Sequence, residues 1–472
     1  MIASMREGRR NVLPSSVPSL NPVVLVCWIF GHVVAGALVC QSGLLATLYG
    51  GIAIAVCSGL VFFGREPWYG VAAIGYISLC DVVWRLSGAA LPWQGGAYFL
   101  AILSVCLIVR SRSLSLNLTP YLYFVIVILG ILIALSHSEI NNPQFLKSLR
   151  FNSVGPLSLC LCVAAFGGQR LRVGDLQPIL VSLLGPGTMV ATAALISTVT
   201  APELVFTSES NFETSGGFGP NQVSASMGLA ALTAFLLFLL GHRSWGASTV
   251  LLVLFLALMM QCALTFSRGG VLMTLLAVGV SVGLVAAYPV YLARVLFVAC
   301  VGGALAVIVL VPFLVSFTDG MIVERYRETT PSKRAEIMMG EVQLFYERPL
   351  LGVGVGASRY LGEKAGIRDM NHTEYVRVII EHGILGIVAF VGLLGQSLLR
   401  GLLSGHVIVR TALLSMAAWW FLFYAIYGYR ISVPGFLVAL AFIRFEDSLG
   451  EDSEGVGLPE DGREVSRLGS VA

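Results

Sequence analysis

Charged residues are scarce in this sequence. They make up 12% of its 472 residues, whereas hydrophobic residues make up 57%, and the mean hydropathy is +0.86. The net charge of +3 is too small to indicate a nucleic-acid partner. Apolar stretches of about 18 residues or more recur, and each is long enough to cross a hydrocarbon core about 30 Å thick. The composition therefore predicts an all-α, polytopic membrane protein.

Three chemical signatures are also missing. No Asp-x-Asp pair occurs, which disfavours sugar transfer from a nucleotide sugar, because such transfer commonly needs carboxylates that hold a divalent cation. No P-loop occurs, which excludes ATP-driven transport by this chain alone. The nine cysteines lie in apolar runs, and the only close pair, Cys160 and Cys162, would point to different sides of a helix. We therefore expect no metal site, no disulfide framework and no cofactor.

Hydropathy predicts up to fourteen transmembrane helices, with twelve as the alternative because the fourth, sixth and last stretches are short. The first stretch follows the basic "MREGRR" without a clear cleavage site, so we expect a span rather than a removable signal. The stretches are residues 22–40, 44–63, 69–86, 96–109, 118–135, 153–166, 178–199, 223–240, 247–264, 270–288, 292–315, 375–399, 407–427 and 431–443.

Arginines mark alternate ends of these stretches. Short loops rich in Lys and Arg stay in the cytoplasm. With the N-terminus inside, the cytoplasmic arginines are Arg6, Arg9, Arg10, Arg65, Arg110, Arg112, Arg170, Arg172, Arg243, Arg294 and Arg400. The predicted organisation is a cytoplasmic segment 1–21, eleven spans within 22–316, a large outer loop 317–374, C-terminal spans within 375–445 and a disordered cytoplasmic tail 446–472.

The outer loop contains a predicted amphipathic helix. Capped by Ser332, it would lie on the membrane surface. Its apolar face would consist of Ala335, Met338, Val342 and Phe345. Further on, "GVGVG" at 352–356 lacks the preceding strand and the downstream acidic residue of a dinucleotide loop. This glycine run predicts a flexible loop that packs near the membrane.

Positive residues on the outer side depart from this pattern, and they cluster. They are Arg268, Arg325, Arg327, Lys333, Arg334, Arg348, Arg359, Arg368, Arg377 and Arg430. Each alone could be a snorkelling anchor or a solvated loop charge. Arg268 differs, because Ser267, Gly269 and Gly270 surround it with a small-residue hairpin that lets the backbone approach a ligand. Since guanidinium groups bind phosphate in a bidentate fork, the cluster predicts an anionic ligand at lipid-headgroup depth.

A second polar group stands where the twelfth span begins, in "NHTEYVRVIIEHGILG". Ionisable groups inside a span usually face a cavity or a partner. Glu374, Arg377 and Glu381 are spaced by three and four residues, so they can pair along one helix face. They form either a brace within the helix or, together with His372, a functional site. His382 is interpreted as a core histidine whose hydrogen bonds are satisfied.

Four motifs in order carry a family resemblance. They are "SGGFGPNQVSA" at 215–225, "TFSRGG" at 265–270, "SKRAEIMMGEVQLFYERPLLGVGVG" at 332–356 and "NHTEYVRVIIEHGILG" at 371–386. All lie on the predicted outer face, and together they resemble the O-antigen ligase/polymerase family of bacterial inner-membrane glycosyltransferases. The resemblance covers about residues 215–395, and the first half of the chain matches only in hydropathy.

The resemblance implies a multi-span helical fold of the GT-C type, with the outer loop in the periplasm. It implies transfer of a glycan from undecaprenyl pyrophosphate to an acceptor sugar, without metal or nucleotide. The acceptor would be another lipid-linked glycan in a polymerase, or lipid A-core in a ligase. Membrane lipids and other polysaccharide-assembly proteins are the further partners expected, and no nucleic acid is.

The resemblance also implies roles for individual residues. Arg268 and Arg334 correspond to the pyrophosphate-binding arginines, with Arg377 as a third, and His372 corresponds to the histidine of the periplasmic loop. The usual aromatic residue after the loop arginine is absent, and Met338 and Met339 occupy that region. This departure, and the unusual form of the last motif, favour an exopolysaccharide or O-antigen polymerase over a ligase.

The expected mechanism is a direct, inverting attack of an acceptor hydroxyl on the anomeric carbon of the donor. Arg268 and Arg334 would stabilise the leaving pyrophosphate in place of a metal. His372 is the predicted base, since its ordinary pKa is near neutrality, and Glu374 would orient it or act as the base itself. Residues expected to contact substrate less directly are Asn221, Gln222, Arg327 and Glu381.

The alternative function is a transporter or flippase of a lipid-linked glycan. Such a protein would carry polar groups near the bilayer midplane and often a repeat that relates its two halves. Asp81 and Arg85, one turn apart near the end of the third span, fit that alternative. The other ionisable groups gather at one face, and we detect no repeat, so the sequence favours a transferase.

Overall fold

The computed structural model describes residues 20–137, 141–241, 244–327, 344–364 and 373–447 of this helical protein. Its main helices are α1 (Pro22–Val39), α2 (Gly43–Phe63), α3 (Pro67–Leu86), α4 (Gly95–Ser111), α5 (Thr119–Leu135), α6 (Pro143–Phe166), α7 (Leu176–Thr200), α8 (Pro220–Leu240), α9 (Trp245–Leu264), α10 (Arg268–Val285), α11 (Pro289–Phe317), α12 (Met321–Arg327), α13 (Ala357–Lys364), α14 (Glu374–Leu403), α15 (Val407–Ile426) and α16 (Val433–Leu440). Two strands, β1 (Arg170–Arg172) and β2 (Arg444–Glu446), pair in parallel.

The membrane-length helices confirm an all-α polytopic fold. Among the described residues, eleven helices are long and apolar enough to cross a membrane, and α4 and α5 are shorter apolar helices of 17 residues. The predicted sixth span is longer than its hydropathy indicated, because Asn142 caps α6 ten residues earlier and Pro143 occupies its first turn. The predicted last span, 431–443, contains only the eight-residue helix α16.

The core of the bundle surrounds α8, whose apolar stretch is buried along its whole length. It packs against α7, α9 and α10, while α3 packs against α7 and α10 packs against α15. At the periphery, only 6% of the apolar stretch of α11 is buried, and most of α1 and α2 is also not covered by other helices. Uncovered apolar helices of this length are suited to contact with lipid tails.

Polar contacts gather at two ends of the bundle. At one end, Arg325 donates to the Phe266 carbonyl over 3.0 Å, and Gln94 donates to the Phe151 carbonyl over 2.7 Å. At the other end, Arg294 donates to the Leu239 carbonyl over 2.8 Å. The β1–β2 pair and the bond from Arg400 to Asn117 lie at that second end too. The grouping matches the predicted separation of outer and inner segments, and the orientation in the membrane stays a prediction.

The glycine loop, residues 349–356, packs against a break in α14. Gly383 has φ +66° there, and the backbone groups freed by the break bond to the loop. The Val353 amide donates to the Ile380 carbonyl over 3.0 Å, and the Ile384 amide donates to the Pro349 carbonyl over 2.8 Å. The loop is buried from residue 352 onward. The expectation of a flexible loop is therefore wrong, because these backbone bonds hold the run in one conformation.

Candidate active site

Arg268 is the first residue of α10 and follows a tight connection from α9. Phe266 adopts a left-handed φ of +55°, and Ser267 occupies the N-cap position. The Arg268 guanidinium donates to the Arg325 carbonyl over 3.3 Å. A cation at a helix N-terminus has the sign that the helix dipole disfavours. Helix amides and a guanidinium at one point are, however, a suitable arrangement for an anion.

The two glycines after Arg268 serve helix packing. A Cβ on Gly269 would collide with the Tyr427 hydroxyl, and one on Gly270 would collide with Ser224 of α8. The space beside these two glycines is thus filled by the protein itself. The expectation that these glycines admit a ligand is corrected, since they let α10 approach its neighbours closely.

Asn221 and Ser267 connect α8 to this hairpin. Ser267 donates from its hydroxyl to Asn221 Oδ1 over 2.8 Å and also bonds to the Tyr427 hydroxyl over 2.9 Å. The two bonds fix the start of α10, and with it the backbone of Arg268. Asn221 therefore lies beside the backbone of Arg268, and its contact with a substrate stays a prediction.

Glu374, Arg377 and Glu381 form a buried triad on the first turns of α14. Arg377 forms ion pairs with Glu374 through Nη2 and with Glu381 through Nη1, the second over 2.9 Å. Both glutamates are fully buried, and 14% of the Arg377 side chain is exposed. The pairing expected from the sequence spacing is present. Two carboxylates therefore face one guanidinium.

Contacts from other elements complete the coordination of this triad. The Tyr429 amide donates to Glu374 over 2.8 Å, and the Ser358 hydroxyl donates to Glu381 over the same distance. Ser358 belongs to α13, directly after the glycine loop. Because every carboxylate here has a donor from outside α14, the triad fixes the relative position of three separate segments.

Arg85 lies at the same end of the bundle as the triad. From the sequence alone, Arg85 is only a feature that fits the transporter alternative. Its guanidinium pairs with Asp81 over 2.5 Å and donates to Gln222 Oε1 over 3.2 Å and to the Arg430 carbonyl over 2.8 Å. Gln222 is therefore committed through its oxygen to Arg85. The signal in the sequence that pointed to a role for Arg85 was an ionisable pair one turn apart in an apolar helix.

The segment 427–432, between α15 and α16, connects these groups. It presents the Tyr427 hydroxyl to Ser267, the Tyr429 amide to Glu374 and the Arg430 carbonyl to Arg85. Burial raises the pKa of the Tyr429 hydroxyl, which stays neutral at physiological pH. Sequence reasoning counted Arg430 among the outer arginines and missed the connecting role of the segment.

The structure describes only some of the remaining predicted residues. Arg327 is exposed at the end of α12. His382 is buried in the core near Tyr123, as expected, but neither ring nitrogen has a hydrogen-bond partner among the described residues, so the histidine is not satisfied as predicted. His372 and Arg334 lie outside the described residues, as does most of the predicted surface helix that Ser332 would cap. Among described residues, no group of three or more His, Cys, Asp or Glu could hold a metal ion.

The bundle and its polar end define a multi-pass membrane protein with cations and carboxylates gathered at one end of its helices. Residues 253–391 match the family model described as O-antigen ligase. This match assigns the segment from α9 to α14 to the O-antigen ligase/polymerase family and confirms the resemblance read from the motifs. Asn221 and Gln222 precede the matched segment. No curated protein shows a significant match to the chain.

Proposed function

We propose that the protein is a metal-independent, inverting glycosyltransferase that uses an undecaprenyl-pyrophosphate-linked donor, and that it polymerises a cell-surface polysaccharide. The family match supports a glycosyltransferase-like enzyme in general, with a lipid-linked glycan and an acceptor as substrates. The observation that supports the finer proposal best is Arg268, which brings a guanidinium to the N-terminus of α10. The proposed location is the bacterial inner membrane, with the site on the periplasmic face.

In the proposed reaction, an acceptor hydroxyl oxygen attacks the anomeric carbon. The bond from that carbon to the pyrophosphate oxygen breaks, and undecaprenyl pyrophosphate leaves. His372 takes the hydroxyl proton, while Arg268 and Arg334 stabilise the charge that grows on the leaving group. A preorganised donor of this kind typically lowers the barrier by roughly 3 kcal/mol.

The triad has a supporting part in this proposal. The Arg377 guanidinium already faces two carboxylates, so its chief contribution is to hold the first turns of α14 rather than to carry the donor charge. Glu374 orients the chain that leads to His372, since Thr373 is the only residue between them. Arg327 and Glu381 contribute to the surroundings of the substrate.

Purified variants test the assigned roles. We expect Arg268→Ala and His372→Ala each to lower glycan transfer at least a hundredfold in buffer with excess EDTA, because each removes a group that acts in the transition state. The donor is the lipid-linked glycan extracted from the source strain, and the measurement is product formation by gel or mass spectrometry. Arg170→Ala is the matched control, because Arg170 lies at the other end of the bundle and is 62% exposed. Parental activity in either active-site variant would remove that residue from the mechanism.

A deletion strain separates the polymerase from the ligase. We expect it to accumulate single repeat units on the lipid carrier, because a polymerase joins such units. The measurement is mass spectrometry of extracted lipid-linked glycans, and re-expression of the parent gene is the control. Long unattached polymer on the carrier would instead identify a ligase.

A further inference from the structure

Trp93 is an exposed aromatic residue at the end of the bundle that carries the candidate site. It lies in the loop between α3 and α4, and 57% of its surface is open. The Arg85 guanidinium carbon lies 5.4 Å from its ring centroid. The ring of Phe218 lies 5.8 Å away at an interplanar angle of 64°. The indole is thus held by two neighbours while more than half of the residue stays accessible.

The Arg85 guanidinium beside this ring is fixed by buried groups. Only 4% of the Arg85 side chain and 1% of Asp81 are exposed. Asp81 also accepts from the Gly96 amide over 3.2 Å, at the start of α4. Arg85 Nε is buried and has no hydrogen-bond partner in the part of the chain that the structure describes. Because a buried ion pair in a bonded network cannot rearrange cheaply, the position of the indole is set before any ligand arrives.

Trp93 and Phe218 form an aromatic ledge, and the chemistry of this ledge suits a sugar ring. A pyranose has a face of C–H groups that packs on an aromatic ring, and hydroxyl groups around its edge that need donors and acceptors. Trp93 and Phe218 supply the aromatic surface. The half-buried Gln222 amide supplies polar atoms beside it, its oxygen held by Arg85. Binding sites for small ligands typically combine an apolar surface with a few fixed polar groups.

The ledge is next to the predicted pyrophosphate site. Gln222, at the ledge, adjoins Asn221, which accepts from Ser267 over 2.8 Å, and Ser267 directly precedes Arg268. We propose that Trp93 and Phe218 form a carbohydrate-binding subsite that positions the acceptor glycan beside the donor pyrophosphate. The term acceptor rests on the proposed function, whereas carbohydrate binding itself does not.

The competing explanation is that Trp93 anchors the protein at the membrane interface, where tryptophan is enriched. Trp245 offers a matched control for this explanation. It begins α9 at the opposite end of the bundle and is 84% exposed. An anchor role predicts the same behaviour for both tryptophans, whereas a carbohydrate subsite predicts a difference between them.

The test measures two affinities of the purified protein in nanodiscs. The first probe is the set of oligosaccharides released by mild acid from the cell-surface polysaccharide of the source strain. The second is undecaprenyl pyrophosphate without glycan. The variants are Trp93→Ala, Trp93→Phe, Trp245→Ala and Arg268→Ala, and thermal unfolding confirms that each is folded. Phe keeps an aromatic surface at position 93, so it separates stacking from loss of the fold.

We expect Trp93→Ala to weaken oligosaccharide binding about tenfold, the loss typical of one aromatic contact. Trp93→Phe should retain most of the affinity, Trp245→Ala should retain all of it, and undecaprenyl pyrophosphate binding should be unchanged in all three. Parental oligosaccharide affinity in Trp93→Ala, equal losses in Trp93→Ala and Trp245→Ala, or a parent that binds no oligosaccharide would overturn the subsite. Undiminished undecaprenyl pyrophosphate binding and transfer by Arg268→Ala would instead count against the proposed function and leave the subsite standing.

Discussion

The buried triad on α14 shows how one arginine can be committed to structure in a region rich in functional charge. Arg377 forms ion pairs with Glu374 and Glu381, and both carboxylates receive a further hydrogen bond from another segment. Breaking a buried ion pair by removing one partner is far more costly than the net stabilisation of the intact pair, because an uncompensated charge stays behind. The role of Arg377 can therefore be separated from that of Arg268 by stability measurements.

We expect Arg377→Gln to destabilise the protein by about 3–5 kcal/mol, because it leaves two buried carboxylates without a cation. The double variant Arg377→Gln with Glu381→Gln should recover part of the loss, since it removes one of the two carboxyl groups that Arg377→Gln leaves without a cation. Arg377→Lys should be intermediate, because an ammonium group cannot engage both carboxylates in the fork geometry. Thermal unfolding in detergent measures the order of stability of these variants. A fully stable Arg377→Gln variant with weakened undecaprenyl pyrophosphate binding would identify Arg377 as a donor ligand instead.

At the residue scale, local spacing was predictable and long-range partners were not. The triad follows from separations of three and four residues in one helix. In contrast, the partners of Arg85 are 137 and 345 residues away in the chain, at Gln222 and Arg430. Hydropathy carries no information on such pairs, so the Asp81–Arg85 pair could be recognised as unusual but could not be assigned to this site.

At the scale of elements, the glycine loop and the break in α14 depend on each other, because each supplies backbone hydrogen-bond partners for the other. A helix interrupted at Gly383 leaves backbone groups without partners, which is costly in a buried position. The loop satisfies them through its own backbone, and Gly352, Gly354 and Gly356 all adopt positive φ to do so. The apolar content of α14 was predictable from the sequence. The break was not, because it depends on a second segment that fits into it.

We expect Gly354→Ala to destabilise the protein by about 2 kcal/mol or more, through strain at φ +97° and a collision of the new Cβ with the Ala134 backbone, 2.7 Å away. Gly320→Ala is the matched control, because its φ is +80° but no atom of the described residues lies within 4 Å of the new Cβ. Thermal unfolding should show a clearly larger loss for Gly354→Ala. Equal losses would mean that backbone strain alone matters and that the loop does not pack tightly.

At the scale of the whole molecule, the bundle is asymmetric. One end carries Arg268, the triad and the Asp81–Arg85 pair, joined through the segment 427–432. The other end carries the β1–β2 pair and arginines that bond to helix-terminal carbonyls, such as Arg110 and Arg294. The positive-inside rule predicts that the second end faces the cytoplasm. The proposed donor chemistry then requires the first end to face the periplasm.

Cysteine labelling tests this orientation on intact spheroplasts. We expect Glu209→Cys to react with a membrane-impermeant maleimide from outside, because Glu209 is exposed at the end that carries Arg268, near Ser208, whose carbonyl accepts from Arg325. Leu116→Cys, in a residue that is 98% exposed at the other end, should react only after lysis. The parent is the background control, since its exposed thiols Cys27 and Cys300 belong to the apolar helices α1 and α11, where a water-borne reagent has poor access. Labelling in the reverse order would put Arg268 in the cytoplasm, and a periplasmic transferase could not then be built on this site.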